Sequence, residues 1–222
     1  MVKPERRVRR SPDLARARGW LQAKAARTWT WLRPRFGVSE TCWTRVVMDR
    51  ATAALVRGLP CQNLDVLEIS GNKWQGFGFR SYRQVDYPAY DVSEGPLAEG
   101  AFDLVIAEQV LEHVLRPLSA VSHVRRMLKP GGAFLVTTPF LLRIHDAPVD
   151  CTRWTETGLR FLLADAGFDS GNILTGSWGN RACVRANFRT WRRWVSWLHS
   201  LRNEPDFPVV VWAMARNDRP GE

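Results

Sequence analysis

Apolar residues in this chain fall into two kinds of run. Short, near-continuous runs occur at 65–69, 102–107 and 133–138, each followed by a polar or turn-forming residue. Such runs predict buried strands of a parallel sheet. Further strands are predicted at Ser81–Val85, at the minimal run Ala89–Val92, at 168–177 and at 207–215. The second kind of run repeats every three or four residues and predicts helices. Trp43, Val46, Val47, Ala51, Ala54 and Leu55 mark one over 41–58, stopped by Gly58 and Pro60. A short helix is expected over Glu108–Val114. Pro117 opens the next, with Leu118, Val121, Val124 and Leu128 on one face and Pro130-Gly131-Gly132 at its end. Thr155 caps a helix that runs to about Ala166, with Gly167 after it. Phe188, Trp191, Trp194, Val195, Leu198 and Leu201 form an aromatic stripe that predicts a helix over 182–202, with Arg189, Arg192 and Arg193 on its other side.

The first strands are closely spaced. Residues 70–80 alone separate 65–69 from 81–85. A parallel crossover takes about a dozen residues, so its helix shrinks to little more than a turn. No crossover helix fits between 86 and 90. Three strands end in acids: Glu68, Asp86 and Glu108. Open α/β sheets bind ligands outside the carboxyl ends of their strands. The expectation is a polar rim on which all three acids converge. Glu68 can accept from ribose hydroxyls, and Gly71 permits close backbone approach. Asp86 lies 18 residues after Glu68, near the spacing at which dinucleotide folds meet a ribose.

Charge divides the chain. Residues 1–36 carry eleven Lys and Arg against two acids, which is +9 of the total +10. With Trp20, Trp29 and Trp31, that arm predicts one or two short helices, basic on one side and aromatic on the other. Such a segment can touch phosphates of a nucleic acid or lie on an anionic membrane surface, or it can simply pack on the domain. The body that follows is nearly neutral. No run of eighteen apolar residues predicts a membrane span. Four scattered cysteines without a CxxC pair argue for reduced thiols, and so for a cytoplasmic protein without a zinc site. The expected organisation is a basic, Trp-containing helical extension over 1–60 and a main domain over 61–217, with 182–203 as a lid or interface.

Val66-Leu67-Glu68-Ile69-Ser70-Gly71, Phe102-Asp103-Leu104-Val105, Val110-Leu111-Glu112-His113-Val114 and Leu128-Lys129-Pro130-Gly131-Gly132 follow one another in an order that resembles the class I S-adenosylmethionine-dependent methyltransferases. The likeness covers roughly 62–215. It implies a Rossmann-like, mostly parallel seven-stranded sheet with its last strand antiparallel. S-adenosylmethionine is the implied methyl donor. Glu68, Ser70 and Gly71 match the motif that holds its amino-acid part. Asp86 matches the acid on the ribose, Asp91 the acid near the adenine amine, and Glu108 and Gln109 the positions facing the methionine end. Glu112 and His113 resemble a motif that holds a metal in some relatives. Gln109 stands where those relatives carry another acid, so no metal is expected.

In the loop 141–153 the candidate base is His145, with Asp150 orienting it or touching substrate. Arg153 and Trp154 are candidates for positioning an anionic or sugar-like acceptor. His113 reads as a structural helix residue. The expected activity is O-methylation of a small molecule or glycan. RNA methylation through the basic arm and a non-catalytic binding subunit stay open, the latter because Ser70 and Asn72 replace glycines of the usual loop. A homodimer is also consistent with the aromatic surface.

Overall fold

The structure, a computed structural model, describes residues 37–146 and 148–218. The helices expected within 1–36 lie outside them. The elements are β1 (Val38–Cys42), α1 (Val46–Arg57), β2 (Asp65–Ile69), β3 (Ser81–Val85), β4 (Phe102–Glu108), α2 (Pro117–Met127), β5 (Leu128–Pro139), α3 (Glu156–Asp165), β6 (Ile173–Trp178), α4 (Arg181–Ala186), β7 (Arg193–Val195) and β8 (Val210–Arg216).

The main sheet has the order β3-β2-β4-β5-β8-β6. Strands β2 to β5 are parallel, and β8 runs antiparallel to both neighbours. The Rossmann-like, mostly parallel sheet with an antiparallel last strand is therefore present, with six strands rather than seven. The missing one is Ala89–Val92. There the backbone turns, with Tyr90 N donating to Asp86 O at 3.0 Å, and the segment is too short to leave the sheet and rejoin it.

Helices cover both faces. On one, α2 and α3 bring Val121, Val124, Met127, Leu159 and Leu163 onto Leu67, Val105, Phe134 and Val136. On the other, Val56 of α1 and the buried Trp74 meet Val66, Leu104, Ile106 and Leu135. Leu118 stands on the outer side of α2 at 46% exposure. The strands read as apolar runs because they are buried on both faces; each such Leu or Val contributes about 1.5–3 kcal/mol. At the amino ends of the strands Lys129 Nζ donates to Asp65 and Asp103, at 2.8 Å each. Asp103 is thus tied in at the edge opposite the carboxyl ends of the strands.

Several boundaries differ from the sequence reading. The helix expected from 41 begins at Val46, behind a strand and a 3-10 turn. The segment 108–114 holds only a 3-10 turn at Leu111–His113, β5 is longer than 133–138, β6 starts at Ile173, and β8 covers Val210–Arg216. The largest correction is 182–202. It contains the six-residue α4, and then an extended segment whose β7 pairs antiparallel with β1. Trp43 N donates to Arg192 O at 2.7 Å, and Ser196 N to Gly37 O at 3.0 Å. A three- to four-residue aromatic spacing imitates a helix. Here the partner strand β1, which local periodicity does not show, takes the backbone bonds instead. Trp43 stacks on His199 and is buried with Trp178 and Trp212, so residues 38–57 are welded to the body.

Candidate active site

Among the described residues, two non-glycine residues adopt left-handed backbone: Ser70 (φ 63°), just after β2, and Gln109 (φ 59°), just after β4. Such conformations are costly and collect at functional sites. Both face a cavity of about 310 Å³ at the carboxyl edge of the sheet. Ile69, Tyr90, Val92, Val110 and Val114 give it apolar walls; Asp91, Ser93, Glu94, His113 and Arg116 add polar groups. Tyr87, Leu115, Pro148 and Val149 stand at its mouth. The size suits a nucleoside-bearing ligand.

The predicted site residues divide between this cavity and the layer behind it. Ser70 and Asp91 line it, and Ser93 fixes Asp91 through its N (2.8 Å) and Oγ (2.7 Å). Gln109 lines it too, with Nε2 donating to Thr137 Oγ1 at 3.1 Å. Asp86 sits beside the Ser70–Gly71 turn and accepts from Gly71 N at 3.1 Å.

Glu68 and Glu108 point elsewhere. Strand side chains alternate, so both share the face of Leu104 and Ile106, opposite Ile69. Glu68 is buried and accepts from Lys73 N (3.2 Å), Trp74 N (3.0 Å) and the Tyr82 hydroxyl. It organises the 70–74 loop from behind. Glu108 pairs with Lys73 Nζ at 2.8 Å and with Arg45. The three acids end strands along one edge, but they do not converge on one rim.

A second cluster adjoins the cavity through His113. The His113 and His145 rings meet edge to face, 5.0 Å between centroids, and Trp191 abuts His145 at 5.6 Å. His145 Nδ1 lies 3.4 Å from Asp150 Oδ2, and its backbone N donates to that oxygen at 2.8 Å. Arg153 grips Asp150 and holds its carboxyl below the usual range. Burial, and then His113, lower the pKa of His145. Trp154, expected near substrate, packs in the core. Glu112 is fully buried, both its oxygens lack hydrogen-bond partners, and burial pushes its pKa up to about 7.

A family profile described as "Methyltransferase domain" matches residues 62–136. That stretch holds β2, β4, α2 and most of the cavity wall. Residues 62–136 of this chain are thus similar to a methyltransferase domain. A Mycolicibacterium smegmatis protein described as a "Probable S-adenosylmethionine-dependent methyltransferase" is 35% identical over 99 residues, 42% of this chain and 38% of that protein. The chain thus spans well under two thirds of the length of the curated relatives it matches. A SAM-dependent methyltransferase of Thermotoga maritima shares the fold at 13% identity, with a TM-score of 0.53, over 88% of this chain and 96% of that one. So does phosphoethanolamine N-methyltransferase 2 of Haemonchus contortus, at 14% identity and a TM-score of 0.53, over 77% of this chain and 53% of that one.

The cavity shows what the strand-end reading overlooked. Tyr90, Val92, Val110 and Val114 build the walls, and their signal was an apolar residue beside each polar turn. His113 belongs to the cavity, although LEHV reads as helix. No helix among the described residues is long and apolar enough to cross a membrane.

Proposed function

We propose that this chain transfers a methyl group from S-adenosylmethionine to an oxygen of a small molecule or glycan, in the cavity beside Ser70 and Gln109. The cavity carries the reading: two strand ends turn left-handed at it, its walls are apolar, and its polar groups are few. Ser70, Gly71, Asp86, Asp91 and Gln109 hold the donor, with Glu68 and Glu108 fixing the loop and strand end from behind. Bound there, the donor supplies a methyl group on a positively charged sulfur that departs as a neutral thioether, so no general acid is required.

The residues' task is alignment, which is largely a proximity effect. An oxygen acceptor must also lose a proton. His145 is the base in this reading. Its lowered pKa keeps the ring neutral at neutral pH, the form that takes up a proton, and Asp150 orients it.

Calorimetric titration with S-adenosylmethionine is expected to give one site. Asp86→Ala is expected to weaken it about 10- to 100-fold, the effect of losing a hydrogen bond to a charged group and the Gly71 tether. Absence of any donor binding would leave a non-catalytic binding module as the better description. Methylation of RNA, but of no hydroxylated small molecule or glycan, would overturn the acceptor class.

A further inference from the structure

We propose that Glu112, His113 and His145 bind a divalent transition-metal ion beside the cavity, and that this ion holds the acceptor oxygen. One donor atom from each residue lies within 4.8 Å of the other two. Tetrahedral ligands with bonds of about 2.1 Å stand about 3.4 Å apart, so a closure of at most about 1.4 Å completes the set.

The second observation is Glu112 itself. It is fully buried, and neither carboxylate oxygen has a hydrogen-bond partner. Buried carboxylates are normally paired or on a metal. The neighbouring cations are already engaged: Arg153 grips Asp150, and Arg45 pairs with Glu108. His113 Nε2 lies 3.7 Å from Glu112 Oε1, an ion pair only when the ring is protonated, and with the ring neutral the two atoms can share an ion.

The surroundings resemble the outer shell of a metal centre. His113 Nδ1 is hydrogen-bonded to the Val149 carbonyl, and His145 Nδ1 faces Asp150. Partners of this kind fix the orientation of ligating imidazoles. Cys151 N donates to Glu112 O at 2.7 Å and ties the loop carrying His145 to the turn carrying Glu112 and His113. Gln109 takes no part, since its amide is bonded to Thr137. The expectation of no metal rested on Gln109. His145 supplies a third ligand from a loop 32 residues beyond His113.

Two imidazoles and one carboxylate suit Zn²⁺, Co²⁺, Mn²⁺ or Fe²⁺ better than Mg²⁺ or Ca²⁺. Three protein ligands would leave a position open for a further oxygen, and His113 borders the cavity. The ion would acidify an acceptor hydroxyl bound there, so that its proton could leave to solvent. With the ion bound, His145 is its ligand; its role as base belongs to the metal-free chain. The role of the ion rests on the methyl-transfer reading; its binding does not.

The test uses the untagged, full-length, chelator-stripped chain. Titration with Zn²⁺ by calorimetry, and with Co²⁺ by visible absorption, is expected to show one ion per chain. Glu112→Gln and His145→Asn are expected to weaken binding at least about 100-fold, and Asp150→Asn about 10- to 100-fold. Cys151→Ser is expected to leave it unchanged, and circular dichroism confirms that each variant folds. Absence of binding by both ions, or binding indifferent to Glu112→Gln and His145→Asn, would overturn the site. S-adenosylmethionine is titrated on the same samples. Donor binding without metal binding removes the metal site alone. Metal binding without donor binding removes the methyl-transfer reading and the ion's role, and leaves the site.

Discussion

Glu112→Gln is expected to stabilise the metal-free protein by about 2–3 kcal/mol more at pH 8 than at pH 5. Glu112 is fully buried, and burial raises its pKa from 4.5 to about 7. Between those values the native state binds more protons than the unfolded chain, so native stability falls as pH rises. Below pH 4.5 both states are protonated and nothing is lost. Above about pH 7 both are ionised, and the full cost of a buried carboxylate is present. The amide is neutral throughout and carries no such slope, and its own burial cost cancels between the two pH values. Urea unfolding of both proteins in chelator at pH 5 and pH 8 measures the difference. Equal ΔΔG at the two pH values would mean that Glu112 is solvated or paired in solution.

Gly179→Ala is expected to cost more than about 4 kcal/mol and to leave little folded protein. A Cβ there would collide with the carbonyl oxygen of Phe207 and the amide of Val209, and would stand 2.8 Å from Pro208 C. These are backbone atoms and cannot swing aside. They are held by Val209 N donating to Trp178 O (2.9 Å), Glu204 N to Gly179 O (2.8 Å) and Gly179 N to Asn203 Oδ1 (3.0 Å). Yielding would separate β6 from the segment that leads into β8 and open the packing of Trp178 and Val210. Ordinary overpacking, where side chains can shift, costs about 1–3 kcal/mol. The control is Gly76→Ala, where a Cβ meets nothing within 4 Å and stability should stay within about 0.5 kcal/mol. Urea unfolding of both variants checks the pair, and a folded Gly179→Ala protein of near-native stability would contradict the packing described.

The errors of the sequence reading have physical sources. The stripe from Phe188 to Leu201 has helical spacing, yet Trp191 and Trp194 lie on an extended segment. Pairing with β1, more than 150 residues earlier, takes the backbone bonds that a helix would have kept inside. Tyr90 and Val92 looked like a strand because they are apolar. They are apolar because they wall a cavity and pack on the core.

The sequence by itself determined the central sheet, because strands buried on both faces must be apolar throughout, and it determined the polar turn at Ser70–Gly71 that ends one of them. Only the tertiary structure decided which way the acids face. Glu68 and Glu108 fall on the α1 side through the alternation of their own strands, and they reach their partners Lys73, Tyr82 and Arg45 only once the chain has folded. The tertiary structure alone also brought His145 to Glu112 and His113. The course of a loop depends on what it packs against, and no periodicity along the chain records it.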